Sequence, residues 1–134
     1  MTSTHMANPL CCAAALAGLE VFEKQNLVSE SARKGQIFEN ELKKIQRRHP
    51  NVVSRILGRG MVYSISFRRP STDERDVELA ERVSNKAIRK GLMLFYTYAG
   101  GLVKLAPPLT IPDDALIEGV GVLGEAVDAC LQEA

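Results

Sequence analysis

The sequence is short of the residues that most simple sites are made from. It holds two histidines, His5 and His49, isolated from each other, so neither a His-x-x-x-His metal pair nor a Ser-His-Asp triad can be assembled with any economy. Its three cysteines are odd in number, and two of them, Cys11 and Cys12, are adjacent. This excludes a disulfide framework, suggests a reducing cytosol, and leaves no Cys-x-x-Cys spacing for zinc. Excess charge is also missing. Seventeen Lys+Arg against 16 Asp+Glu give a formal charge of +1, which makes no electrostatic case for nucleic acid, an anionic membrane or an acidic-substrate trap. The charge-free stretch from Met6 to Gly18 is too short to cross a bilayer, and no Lys or Arg precedes it as in a signal peptide. No glycine-rich loop leads from a strand into a helix. We therefore expect no metal, no nucleic acid and no membrane, and a cytoplasmic chain.

What is present is one domain's worth of ordinary globular pattern, 46% hydrophobic, in an order that mixes helices and strands. Asn8-Pro9 reads as an N-cap and first helical residue, followed by Leu10, Ala14, Ala17 and Val21 on one face of a helix expected to be buried. A second helix is predicted over Leu27 to Arg48, with Val28, Ala32, Gly35, Leu42 and Ile45 as its apolar stripe; His49-Pro50 ends it. Two extended pieces flank "GRG" at Gly58 to Gly60, the second alternating Met61, Tyr63, Ile65 and Phe67 inward. Ser71, Thr72 and Asp73 are candidate caps for a third helix through Val77, Ala80, Val83 and Ala87, which Gly91 stops. A hairpin is expected about Gly100-Gly101, then Pro107-Pro108, then a last helix starting between Thr110 and Asp113 with Leu116, Val120, Leu123 and Val127 inward. This order predicts an α+β fold, a small mainly antiparallel sheet covered on one face by helices.

Three stretches in one order, "STHMANPLCCAAALAGLEV", "ILGRGMVYSISF" and "GLVKLAPPLTI", resemble the carboxy-terminal part of the class III pyridoxal-phosphate-dependent aminotransferases, the group that includes acetylornithine, ornithine and 4-aminobutyrate aminotransferases. The resemblance covers essentially the whole chain. It implies a fold-type-I enzyme, residues 1–25 corresponding to the end of the large domain with a connecting helix and residues 26–134 to the small domain. It also implies a homodimer, pyridoxal 5'-phosphate as cofactor, and a small-molecule amino donor and keto acid as substrates. The lysine that would hold the cofactor as a Schiff base, and the acid that would pair with its ring nitrogen, lie upstream of the resembled segment. No lysine here is in a matching motif, and the catalytic set is expected to be absent. The 134 residues alone, with cofactor added, are expected to be silent; transamination by them would overturn this.

On the same resemblance, Thr4 is a cofactor-binding candidate, a hydroxyl ahead of a helix start reaching a partner chain's phosphate, with Ser3 as a neighbour candidate. Lys104 occupies the position where many relatives carry an arginine that grips the substrate carboxylate. The departure matters, because a guanidinium offers two parallel hydrogen bonds and an ammonium offers a point charge. It suggests a donor without a conventional α-carboxylate, or one held differently, against the plainer reading of Lys104 as a solvent-facing strand residue. Arg59 is read as structural, "KKIQRRH" at Lys43 to His49 as a solvated helix end, Cys11 and Cys12 as small inert hydrophobes, His5 as structural or solvent-facing, and Tyr96 and Tyr98 as core by default. A stand-alone interaction module, and decarboxylation or racemisation on the same scaffold, fit the residues too. A small domain separated from its large partner should expose apolar surface on the first helix and the sheet, and self-associate.

Overall fold

A computed structural model of the chain describes residues 7–97 and 101–133, with the side chains of 95–97 excepted. Its elements are α1 (Pro9–Lys24), α2 (Leu27–Arg48), β1 (Val53–Arg59), β2 (Val62–Phe67), α3 (Val77–Arg89), β3 (Phe95–Thr97), β4 (Leu102–Leu105) and α4 (Asp113–Gln132). The four strands form one antiparallel sheet in the order β1-β2-β4-β3. One face carries Val53, Tyr63, Ile65, Phe67, Val103 and Leu105, all buried against α2, α3 and α4. The predicted α+β class and its one-sided helical cover are what the chain adopts.

The local chemistry explains most boundaries. Asn8 Oδ1 accepts from the Leu10 amide at 3.0 Å, and Pro9, which has no amide to satisfy, takes the first helical position. Asn26 joins α1 to α2 in the left-handed region at φ 49°, where asparagine is among the better-tolerated side chains. Asp76 caps α3 by accepting from the Leu79 amide at 2.9 Å, in place of the predicted Ser71, Thr72 or Asp73. Those three belong to a tighter preceding turn, in which Arg68 holds Asp73 at 2.6 Å and the Arg69 amide reaches Glu74 O.

Two expectations about burial need correction. Helix α1 has no buried residue; Leu10 and Leu16 are 79% and 62% exposed, and the vicinal Cys11 and Cys12 are exposed as well. A helix apolar on most of its circumference demands a cover, but periodicity says nothing of which segment supplies it, and among the described residues only the start of α2 approaches α1. The buried stripe of α2 is Leu27, Lys34, Gly35, Phe38, Leu42 and Ile45, so Val28 and Ala32 face outward. Gly35, Leu42 and Ile45 hold their predicted places; the first two turns differ because the stripe there runs through Leu27 and Lys34, and a hydrophobic pattern steps around a lysine.

Helix α2 crosses the β1-β2 turn at backbone contact. A Cβ on Gly35 would stand 2.6 Å from Gly60 O and 2.7 Å from Gly60 Cα, and Gly60 itself turns at φ 59°. The "GRG" glycines therefore serve close approach and a tight turn, with Arg59 exposed at the end of β1. Phe38 follows one turn later, edge-on to Tyr63 with ring centroids 5.1 Å apart.

Candidate functional site

Among the described residues, nothing covers the other face of the sheet. In an antiparallel register, opposed residues share a face, so Arg55, Leu57 and Arg59 of β1 lie beside Ser66, Ser64 and Val62 of β2, and Ser64 and Ser66 beside Lys104 and Leu102 of β4. Leu57 and Val62 remain 57% and 51% exposed, which marks a face no helix covers. Lys104 is exposed near its centre, with Ser64 on one side and the register position of Phe95 on the other. Ser64 Oγ donates to Leu57 O at 3.3 Å and stays with β1. The ion pairs of the described residues do not involve Lys104. Arg55, Arg59 and Lys104 thus give the open face three cations with no acid at an intervening register position. Such a surface attracts an anion.

Beyond Lys104 the chain runs through Leu105 into the segment Ala106–Pro112, of which Ala106, Pro107, Pro108 and Ile111 line an apolar groove of about 620 Å³ together with Phe38 and Leu116. This passage is held by α2. Lys34, 8% exposed, donates its ammonium to Ile111 O at 2.6 Å and Leu109 O at 3.3 Å. Arg33 lays a two-pronged fork on Asp113 at 2.7 and 2.9 Å and reaches Glu30 from its other edge. Neither role is foreseen from the sequence, because Arg33 and Lys34 read as charges lying beside the apolar stripe of Ala32 and Gly35. The available signal was Lys34's place at helical spacing between Leu27 and Phe38.

The fork has a titration consequence. The Arg33 hydrogen bond, partly opposed by desolvation, holds the carboxyls of Asp113 and Glu30 below their usual range, and Lys86 does the same for Glu133. Groups lowered in the folded state contribute stability that is present above their unfolded values near about pH 4 and is lost as pH falls through the folded ones. The urea midpoint is expected to be level from pH 7 to about pH 5 and to drop below about pH 4, less steeply in Asp113→Asn. An equal slope in the variant would mean that this pair carries none of the acid sensitivity.

The lysine- and arginine-rich end of α2 is a surface of pairs, Lys43 with Glu39 at 2.5 Å, Lys44 with Glu41 at 2.6 Å, and Arg48 and His49 sharing the two oxygens of Asp128 at 2.8 and 2.5 Å. Ser3, Thr4, His5 and Tyr98 lie outside the described residues; Tyr96 is in β3 opposite Val103. Among the described residues no group of three His, Cys, Asp or Glu could hold a metal, and no helix is long and apolar enough to cross a membrane.

Residues 1–127 match the Aminotransferase class-III family. The chain belongs to the class III aminotransferases. This family member is 34% identical over 128 residues to the 5-aminovalerate aminotransferase DavT of Pseudomonas aeruginosa, covering 93% of the chain and 30% of that protein. It is 34% identical over 127 residues to the isoleucine 2-epimerase of Lentilactobacillus buchneri, covering 94% and 28%. A Bacillus anthracis aminotransferase structure superposes with a TM-score of 0.85 at 30% identity, covering 95% of the chain and 30% of that structure. The class III chain therefore spans about three-tenths of the length of the relatives it matches. Its described residues do not by themselves fit pyridoxal phosphate. The buried amine, that of Lys34, is spent on two carbonyls, and the phosphate candidates Ser3 and Thr4 lie outside the described part.

Proposed function

We propose that this chain is the carboxy-terminal part of a cytoplasmic, homodimeric aminotransferase that moves an amino group from an ω-amino carboxylate to a keto acid. Residues 1–25 then end the large domain and residues 26–134 form the small one. The observation that carries the reading is Lys104, a cation at the centre of an uncovered sheet face, standing where the resemblance places a carboxylate-gripping arginine. Pyridoxal phosphate, held on a lysine and an acid that in the resembled family lie upstream of this segment, would supply the electron sink for the amino transfer. This chain contributes binding and orientation. Lys104 takes the end of the donor remote from the amine, Arg55 and Arg59 bias the face toward anions, and the apolar groove beside Lys104 borders it with methylene-compatible surface.

Thr4, with Ser3 beside it in the sequence, is proposed to donate to the cofactor phosphate of the partner chain. The apolar surface of α1 then meets the large domain, which accounts for a helix with no buried residue of its own. A lysine in place of arginine suits a carboxylate approached by one oxygen at the tip of a long donor. The relative named for 5-aminovalerate transfer is consistent with a donor of this class.

The relative named as an isoleucine 2-epimerase supports a second reading, stereochemical inversion on the same scaffold. One experiment separates them. The longer protein, loaded with cofactor, is offered ω-amino acids with a keto acid and, separately, single-enantiomer α-amino acids without one. Amino transfer that needs the keto acid and favours ω-donors is the expected result; loss of optical activity without keto acid would favour epimerisation, and neither would defeat both readings.

A further inference from the structure

We infer that Lys34, through the segment it tethers, is a positioning residue for Lys104, an inference that rests on the carboxylate-binding role proposed for Lys104. The segment from Ala106 to Pro112 contains three prolines, Pro107, Pro108 and Pro112, so it is poor in amides with which to fix itself. Among its described backbone contacts the Ile111 amide closes a turn on Pro108 O at 3.1 Å, which leaves the carbonyls of Leu109 and Ile111 to be met from elsewhere. The Lys34 ammonium meets both.

A lysine is an expensive choice for that task. Burying a charge is unfavourable unless it is well hydrogen-bonded, and an apolar chain would fill the stripe between Leu27 and Phe38 without that penalty. What the ammonium adds is direction: two bonds from one atom, anchored in the middle of a long helix, to a segment that begins two residues after Lys104. Arg33, on the preceding residue of the same helix, fixes the far end of the segment through Asp113. The segment that follows β4 is thereby held by α2 at Leu109, at Ile111 and, through Asp113, at its far end. Lys104, next to the end of that four-residue strand, inherits its placement from them.

The test is a double-mutant cycle on the longer enzyme. Lys34→Met is expected to raise KM for a carboxylate-bearing ω-amino donor by about tenfold with kcat little changed, and to leave the KM of a plain alkylamine unchanged. Arg33→Ala, at an exposed position and so without a buried vacancy, should move the same KM in the same direction by a smaller factor. In a Lys104→Ala background both effects should vanish, because nothing is left to be positioned. A Lys34→Met effect that persists in that background, or that falls equally on the alkylamine, would show a merely structural role and overturn the inference. Unchanged KM in both Lys34→Met and Arg33→Ala would also overturn it. If Lys104→Ala itself leaves KM unchanged, the carboxylate reading fails and takes the inference with it, which distinguishes the two failures.

Discussion

Gly35→Ala is expected to destabilise the domain by about 3 kcal/mol, at the upper end of what inserting one carbon into a packed interior costs. The reason is the nature of the obstacle. The new Cβ would meet the oxygen, Cα and carbonyl carbon of Gly60 at 2.6, 2.7 and 2.9 Å, and all three are backbone atoms that no rotamer change can withdraw. Either α2 lifts from the β1-β2 turn, opening the contact between Phe38 and Tyr63, or the turn deforms at a glycine already in the left-handed region. Helix propensity alone would favour alanine by roughly 1 kcal/mol, so the sign of the result separates packing from propensity. Gly121→Ala in α4, where a Cβ meets nothing within 4 Å, is the control and should raise the urea midpoint. A neutral Gly35→Ala would mean that α2 and the turn are not in backbone contact.

The second large effect concerns Lys104. If Lys104 holds the donor carboxylate as proposed, truncating it to alanine in the longer protein would remove a charge-assisted hydrogen bond worth about 1.5 to 3 kcal/mol, a rise of roughly 10- to 100-fold in KM for carboxylate-bearing donors. Because the carboxylate is remote from the reacting amine, the loss should fall on KM and spare kcat, the pattern of an interaction made equally in ground and transition states. Lys104→Arg is the sharper variant. A planar fork in place of a point charge should move preference from ω-amino toward α-amino donors, since it rewards a carboxylate presented by both oxygens. An unchanged ratio of kcat/KM between the two donor classes would remove Lys104 from the determination of specificity.

How much of this was legible beforehand depended on which physical signal each feature left. The alternation of Met61, Tyr63, Ile65 and Phe67, the stripe from Leu116 to Val127 and the Asn8-Pro9 helix start are local patterns, and the fold follows them closely. Burial of α1 was misjudged because hydrophobicity records the need for a cover and not its whereabouts. Lys34 was missed for the opposite reason. Its burial depends on two carbonyls 75 and 77 positions along the chain, and no window along the sequence contains both partners. The cap of α3 fell on Asp76 and not on the earlier hydroxyls, because a tertiary bond from the Asp76 amide to Phe67 O sets where the helix begins. Lys104 was visible as a candidate only through the family resemblance; its register between Ser64 and Phe95, and the openness of its face, needed the sheet.

The role of Lys104 is tested most directly by a crystal structure of the longer protein with cofactor and a bound ω-amino carboxylate. The Lys104 ammonium is expected within about 3.2 Å of a carboxylate oxygen, with the sheet face of Ser64 and Lys104 turned toward the ligand. A carboxylate held by other groups, with Lys104 directed into solvent, would contradict it.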